Sequence, residues 1–215
     1  MSDGVLGLAP QTLGDAGPAV GYAYKLKALL AARYTAQAQA ISMTDEGLPA
    51  ETATAGLIRL PGVLVRDQPD VMLLLEGVND LNNGGDAAIP AVKSALTNMV
   101  REGRRRGLTV FLATLLPQQP PGMRARAPAS IQPCNVEIRK VASAEGAVLV
   151  DLYAAFDGQT AALIGPDGLH PNESGYQKMA QTFFDAIRGR LELQTVNSFP
   201  NSGFIPNFSV PPQAR

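Results

Sequence analysis

The sequence is poor in the side chains that most often bind metals or carry redox chemistry. Its 215 residues include one cysteine, one histidine and no tryptophan. A single cysteine excludes an intramolecular disulfide and a cysteine metal cluster, and with only one histidine beside it a zinc site is not expected. We therefore expect no disulfide and no zinc site, and we interpret Cys134 as a partly buried structural thiol.

Long apolar runs and a strong excess of charge are missing as well. No stretch reaches the ~20 apolar residues that a membrane helix needs, and no signal peptide is recognisable. The net charge is −1, with 46% hydrophobic and 17% charged residues, which is typical of a soluble globular domain and gives no reason to expect nucleic-acid binding. The oligomeric state stays open. The compartment stays open as well, since a signal peptide upstream of Met1 would direct the protein to the periplasm or the medium.

What the sequence does contain is an alternation of helical and strand-like segments. Continuous apolar runs predict buried strands at 71–76, 108–116 and 147–153. A weaker alternating pattern predicts a further strand at 35–43. Apolar stripes at helical spacing predict helices at 18–33, 50–60, 89–100, 134–145 and 176–191. Strands and helices that take turns imply a mostly parallel sheet covered by helices on both faces, which is a three-layer α/β/α domain.

Two segments do not fit this alternation. Residues 117–133 are rich in Pro, Gln and Arg, and they predict a long loop at the rim of a site. Residues 194–215 combine Pro, Asn and Ser with scattered Phe and no periodicity, which predicts an extended tail. A single domain is therefore expected over 1–193.

The lone histidine lies in the run Asp167-Gly168-Leu169-His170-Pro171. Histidine has an ordinary pKa near neutral pH, so it is the usual proton carrier in hydrolysis. A carboxylate three residues earlier, across a glycine turn, can reach back to the imidazole and fix its tautomer. Asp167 and His170 are therefore the candidate catalytic pair, and the simpler alternative is a histidine that only lies in a loop or caps a helix.

A second motif, Gly77-Val78-Asn79-Asp80, comes just after the apolar run that ends at Leu75. Open α/β sheets bind ligands at the carboxyl ends of their strands. An Asn side chain at that edge can donate a hydrogen bond to a developing oxyanion. Gly77 and Asp80 would support the turn, and the alternative is a turn without function, because Gly, Asn and Asp are common turn formers.

In this order, the two motifs resemble those of the SGNH, or GDSL-type, esterases and lipases. That family has a nucleophilic serine near the N-terminus, a glycine after the second strand, Gly-x-Asn-Asp after the third strand and Asp-x-x-His near the C-terminus. The resemblance implies a flavodoxin-like fold and hydrolysis of a small-molecule carboxylic ester through an acyl-enzyme, without a cofactor. It also implies that His170 acts as base, that Asp167 orients it, and that Gly47 N–H, in the run 45–49, and the Asn79 side chain hold the oxyanion.

The start of the chain departs from the family pattern. Met1-Ser2-Asp3-Gly4 matches the last four positions of the first family motif, Gly-Asp-Ser-x-(Ser/Thr)-x-Gly, so the nucleophile is expected just before Met1. The strand that leads to it is expected to be missing too, which would expose two strand edges in the middle of the sheet. Three explanations stay open: an N-terminally truncated chain, which we prefer, Ser2 as a displaced nucleophile, or a non-catalytic relative.

Two functions other than ester hydrolysis also stay open. The first is binding of a lipid or carbohydrate without turnover. The second is metal-dependent phosphate hydrolysis, for which the candidate ligands are Asp70, Asp80, Asp151 and Asp157 at the ends of different predicted strands. The family resemblance does not choose among ester substrates, because one scaffold of this kind serves many of them.

Overall fold

A sheet of five strands lies at the centre of the region that the computed structural model describes, which comprises the backbone of 5–7 and residues 21–192. The spatial order is β2-β1-β3-β4-β5, and β3, β4 and β5 are mutually parallel. The strands are β1 (Val5–Gly7), β2 (Thr44–Asp45), β3 (Val71–Leu74), β4 (Thr109–Ala113) and β5 (Val148–Val150). The tail predicted at 194–215 lies outside the described residues, so the domain boundary stays a prediction.

Helices cover both faces of this sheet. The described α-helices are α1 (Tyr22–Arg33), α2 (Ala53–Asp67), α3 (Val78–Gly84), α4 (Ile89–Arg105), α5 (Pro128–Glu145), α6 (Leu152–Phe156), α7 (Thr160–Leu163) and α8 (Glu173–Leu191). α1 packs against α8, while α2, α4 and α5 form a second group. The predicted three-layer α/β/α architecture is confirmed. Within 21–192, no helix has both the length and the apolar character needed to cross a membrane.

The two central parallel strands form the core, as their continuous apolar sequences predict. Leu73 and Leu74 of β3 and Phe111 and Leu112 of β4 have no exposed surface. Strands that are buried on both faces need apolar side chains at every position, so they lack the alternating pattern of a half-exposed strand. These strands therefore form the buried centre of the domain, and the loops at their carboxyl ends carry the candidate site.

The strand predicted at 35–43 is wrong. Residues 35–40 form turns, beginning with a hydrogen bond from Gln37 N–H to Tyr34 O at 3.0 Å. The strand that pairs with the sheet here is only Thr44–Asp45. Ala and Gln have little preference for extended structure, so their alternation carried less information than its period suggested.

Other predicted boundaries need correction as well. The strand predicted at 147–153 is limited to Val148–Val150 and is not fully buried: Leu149 is 36% exposed, because β5 pairs only with β4 and forms an edge of the sheet. The loop predicted at 117–133 ends earlier, since α5 begins at Pro128. Proline suits the first turn of a helix, where its missing N–H would have had no intrahelical partner.

The position that we expected to be open in the middle of the sheet is occupied. The backbone of Val5–Gly7 lies between β2 and β3, antiparallel to both, with Leu6 opposite Asp45 on one side and Leu73 on the other. Strand edges present unpaired N–H and C=O groups, and an extended segment can satisfy them in either direction. The expectation of two exposed edges is therefore wrong. The strand that fills the position differs from the one in the family pattern, because it lies after Met1–Gly4, whereas the family's first strand precedes the first motif.

Candidate active site

The turn Asp167–His170 brings the predicted pair into contact. His170 Nδ1 is hydrogen-bonded to Asp167 Oδ2, while Asp167 Oδ1 accepts the backbone N–H groups of Leu169 at 3.0 Å and His170 at 2.9 Å. Gly168 closes the turn at φ +81°, a conformation that suits glycine. The carboxylate is thus fixed by its own turn, and the His170 side chain that it holds is still 23% exposed.

The backbone on both sides of His170 is fixed as well. Gly165 N–H donates to His170 O at 2.7 Å. Immediately after the turn, Asn172 caps α8 by accepting Gly175 N–H at 3.0 Å, and its Nδ2 donates to Ala162 O at 2.8 Å. The imidazole is therefore presented from a backbone that is held from before the turn to the first turn of α8.

The segment 117–127 packs directly against the Asp167–His170 turn. Gln119 N–H donates to Gly168 O at 2.8 Å, and Arg124 N–H donates to Asp167 O at 2.8 Å. A Cβ atom on Gly122 would lie 2.4 Å from the carbonyl carbon of Asp167, so glycine alone permits this approach. The part of the predicted loop that is not helix thus borders the candidate base, as expected for the rim of a site.

The second motif forms the start of α3 at the carboxyl end of β3. Gly77 has φ +117°, and a Cβ atom there would lie 2.6 Å from Val92 Cγ1, so the turn requires glycine. Asn79 Nδ2 donates to Glu51 O at 2.8 Å, and Asp80 Oδ2 accepts Ala53 N–H at 2.9 Å. Both polar side chains of the motif therefore bind the segment that leads into α2.

The turn that contains Gly47 joins β2 to α2. Gly47 N–H donates to Asp45 Oδ1 at 3.0 Å, so the amide predicted for the oxyanion already has a partner. Ala50, at the other end of this turn, is exposed and has φ +63°, a conformation that costs an L-residue roughly 1–2 kcal/mol. Non-glycine residues held in this way concentrate at functional sites. Sequence reasoning missed Ala50, because alanine gives no signal for a positive φ.

An ion-paired cluster lies beside the same turn. Arg59 of α2 donates two hydrogen bonds to the buried carboxylate of Glu51, at 2.9 and 2.7 Å. It also donates to the backbone oxygen of Glu46 at 2.7 Å and to Glu46 Oε2 at 3.3 Å. Hydrogen bonding to Glu51 raises the pKa of Arg59 above its already high ordinary value. Sequence reasoning missed this cluster too, since an arginine within an amphipathic helix looks like a surface residue.

A buried glutamine connects the two halves of the candidate site. Gln118 Nε2 donates to Asn82 Oδ1 at 2.8 Å, and its Oε1 accepts Ala127 N–H at 2.9 Å. Asn82 belongs to α3, the helix that carries Asn79, whereas the segment of Gln118 binds the backbone of Asp167 and Gly168. The segment 118–127 therefore links α3, the helix of Asn79, to the Asp167–His170 turn.

Two of the four acids considered as ligands of a catalytic metal, Asp151 and Asp80, have other partners. Asp151 binds Arg139 through both carboxylate oxygens, at 2.9 Å each, and accepts Thr114 Oγ1 at 3.0 Å. Asp80 is bound to Ala53 N–H, and burial raises the pKa of its carboxyl. Among residues 21–192 there is no group of three or more His, Cys, Asp or Glu side chains with the spacing of a metal site.

Cys134 lies inside α5 and is 1% exposed, so it is more deeply buried than the sequence suggested. Burial raises the pKa of the thiol to about 12. A thiol with such a pKa stays protonated near neutral pH, and the thiolate is the nucleophilic form. Cys134 therefore belongs to the packing of the domain rather than to its chemistry.

Comparison with known proteins gives a family match over most of the chain. Residues 10–178 match the model of the GDSL-like Lipase/Acylhydrolase family. Esterase TesA of Pseudomonas aeruginosa is 24% identical over 189 residues, which cover 85% of this chain and 90% of the relative. A multidomain esterase of Ruminococcus flavefaciens is 29% identical over 143 residues, which cover 63% of this chain but only 18% of that much longer protein.

A solved structure shows the same fold. An alpha/beta hydrolase enzyme from the metagenome of Lake Arreo, Spain, superimposes with a TM-score of 0.68 at 24% identity, covering 82% of this chain and 84% of the other. The family match includes the Gly77–Asp80 and Asp167–His170 motifs and most of the described residues. The chain belongs to the GDSL-like lipase/acylhydrolase family.

Proposed function

We propose that this domain hydrolyses carboxylic esters of small molecules once a serine upstream of Met1 is present, with His170 as general base and general acid. The Asp167–His170 turn is the observation that carries the proposal. One oxygen of the Asp167 carboxylate is held by two backbone N–H groups, and the other binds the imidazole. This arrangement leaves Nε2 as the ring nitrogen that exchanges protons, and it stabilises the imidazolium that forms during the reaction.

The reaction that fits this pair proceeds through an acyl-enzyme. A serine hydroxyl attacks the ester carbonyl while His170 accepts its proton. His170 then protonates the leaving alcohol as the tetrahedral intermediate collapses. In the second half, water attacks the acyl-serine while His170 removes a proton from the water. His170 then returns this proton to the serine oxygen as the carboxylic acid leaves, which regenerates the enzyme. The chemistry uses protein groups alone.

The oxyanion of the tetrahedral intermediate would be held by Asn79 and by an amide of the turn at 47–50. One hydrogen of Asn79 Nδ2 is donated to Glu51 O, which aims the amide and leaves its second hydrogen for substrate. Gly47 N–H would have to exchange Asp45 for the substrate oxygen. Ala50 is the alternative donor, because its positive φ turns the backbone at an exposed position of the same turn.

The nucleophile that we propose is the serine of the family's first motif, at the position before Met1. The matching experiment extends the chain upstream with a strand-forming segment that ends in Gly-Asp-Ser. A control carries Gly-Asp-Ala instead. The added strand has to take the position between β2 and β3 that Val5–Gly7 occupies in the described fold, so circular dichroism and gel filtration should first establish that both chains fold alike.

We expect the serine-bearing chain to hydrolyse p-nitrophenyl acetate at least about 1,000-fold faster than the alanine control, as removal of a catalytic nucleophile leaves only residual catalysis. Equal rates in the serine and alanine chains would refute this nucleophile. Equal rates that also occur in residues 1–215 alone and vanish in Ser2→Ala would assign the role to Ser2. Ester binding without turnover in every chain would indicate a non-catalytic relative.

A further inference from the structure

Arg59 uses its whole guanidinium group to bind the segment that precedes its own helix. Nε and one terminal nitrogen bind the two carboxylate oxygens of Glu51. That same terminal nitrogen binds Glu46 O, and the other binds Glu46 Oε2. Every nitrogen of the group thus contacts the segment 46–51, which is the turn that carries both candidate oxyanion amides.

Glu51 transmits this contact to Asn79. Its carboxylate is bound by Arg59, its N–H donates to Leu48 O at 3.3 Å, and its carbonyl accepts Asn79 Nδ2 at 2.8 Å. A shift of the Glu51 backbone would therefore move the acceptor that aims the Asn79 amide. It would move Ala50, its immediate neighbour, at the same time.

We propose that Arg59 is a positioning residue for the oxyanion site. It fixes the turn at 46–51, and through Glu51 O it fixes the direction of the Asn79 side chain. This inference rests on the proposed function, since it gives the turn a catalytic purpose. Its first consequence, an ordered turn, can be measured without any catalysis.

The chemistry of the contact explains why arginine is required. Only a planar fork of donors can bind both oxygens of Glu51 and a backbone carbonyl together, whereas lysine offers a single charged point. The Glu51 side chain is 5% exposed, so loss of Arg59 leaves a buried charge without its cation. Arg66 also contacts the Glu46 carboxylate, but its other contact is to Asp67 and not to the turn.

The first experiment measures amide hydrogen exchange by mass spectrometry in residues 1–215. We compare Arg59→Met and Arg59→Lys with Arg101→Met. Arg101 is a matched control, because it makes an equally bidentate pair with Glu145 at 2.8 and 2.8 Å in the last turns of α4, away from the carboxyl edge of the sheet. We expect exchange in the peptide that covers 46–52 to accelerate at least about 10-fold in Arg59→Met, less in Arg59→Lys, and not in Arg101→Met.

Unchanged exchange at 46–52 in a folded Arg59→Met chain would overturn the inference. If that variant does not fold, Glu51→Gln replaces it, since glutamine keeps the shape and one acceptor but removes the charge that holds the guanidinium. We then expect about 3-fold or greater acceleration in the same peptide, and no acceleration would again overturn the inference.

The second experiment measures ester hydrolysis in the serine-bearing chain. Donors that act on the oxyanion contribute in the transition state, so a displaced turn should lower kcat by about 10- to 100-fold and leave KM within about 3-fold. Arg59→Lys should recover part of the loss. An ordered-turn effect with unchanged kcat would overturn the positioning role. A serine-bearing parent without any activity would refute the proposed function instead, and the exchange result would still decide whether Arg59 orders the turn.

Discussion

The two halves of the candidate site are built in different ways. Asp167 and His170 are three residues apart, and the hydrogen bonds that orient them come mainly from one turn. Asn79 depends on Glu51, which lies 28 residues earlier, and Glu51 depends on Arg59. The proposed base is therefore oriented locally, whereas the proposed oxyanion site depends on contacts among three parts of the folded chain.

Because of this difference, we expect the two halves to respond differently to substitutions at distant positions. A local turn keeps its geometry as long as its own backbone is intact. An assembled site loses its geometry when a distant partner is removed, even though no catalytic group has changed. The following substitutions test this contrast in the serine-bearing chain.

The largest effect is expected for the proposed catalytic pair, Asp167 and His170. His170→Ala and Asp167→Asn should each lower kcat by about 10³- to 10⁴-fold, since the first removes the proton carrier and the second removes the charge that fixes its tautomer. Thermal unfolding should change little for Asp167→Asn, because asparagine Oδ1 can still accept the Leu169 and His170 amides. Steady-state ester hydrolysis measures both constants, and KM should stay within a few-fold of the parent value. A loss of kcat below 10-fold in either variant would contradict the assignment.

The Asn79 side chain is expected to come next. Asn79→Ala should lower kcat by about 10²- to 10³-fold, the usual cost of removing one oxyanion donor. Asn79→Asp is the companion variant: it keeps the size of the side chain but replaces the donor with a carboxylate, and it should be at least as damaging. If Asn79→Ala raises KM while kcat is kept, the side chain binds the ground state and has no special role toward the oxyanion.

A substitution at the contact between the segment 117–127 and the Asp167–His170 turn should have a smaller effect, mainly on the free energy of unfolding. In Gly122→Ala, the new Cβ would meet the Asp167 and Gly168 backbone at 2.4 Å, so we expect a loss of about 1–3 kcal/mol in the free energy of unfolding. Gly189→Ala in α8 is the control. Nothing lies within 4 Å of its Cβ position, so it should be neutral or stabilise by up to about 1 kcal/mol. Urea titrations of both variants test the difference, which equal shifts would contradict.

The smallest effect concerns Asp80. Burial raises the pKa of this carboxyl in the folded state, so its charged form opposes folding at neutral pH. Asp80→Asn keeps an acceptor for Ala53 N–H and removes that charge, and it should match or slightly exceed the parent in stability. Its advantage should shrink as the pH falls through the raised folded-state pKa, where the parent becomes protonated. Asp80→Ala loses the acceptor and should cost about 1 kcal/mol; urea titration at several pH values measures both.

The sequence predicted the parts of the molecule whose causes are local. Continuous apolar runs located β3 and β4, and residue types at short spacing located the Asp167–His170 turn. The strand expected at 35–43 failed because its alternation came from Ala and Gln, which favour no extended structure. The sequence also did not predict that Val5–Gly7 pairs with both β2 and β3. Such pairing depends on strands that are distant in sequence.

The oxyanion side shows the same limit more clearly. Asn79 was identifiable from its motif, but the partner of Gly47 N–H, the positive φ of Ala50 and the contacts of Arg59 all arise from tertiary packing. Gln118, which joins the two halves, lies in a segment that the sequence marked only as a loop. The candidate site residues within short motifs could therefore be predicted from the sequence, whereas the residues that hold them in place became visible only in the structure.

The most direct test is a crystal structure of the serine-bearing chain after reaction with a fluorophosphonate, which mimics the tetrahedral intermediate. Our account predicts a phosphonyl oxygen at about 2.7–3.1 Å from Asn79 Nδ2 and from one amide of the turn at 47–50, with His170 Nε2 next to the modified serine oxygen. An adduct whose oxygen faces away from Asn79 and that turn, or a chain that forms no adduct at all, would contradict the account.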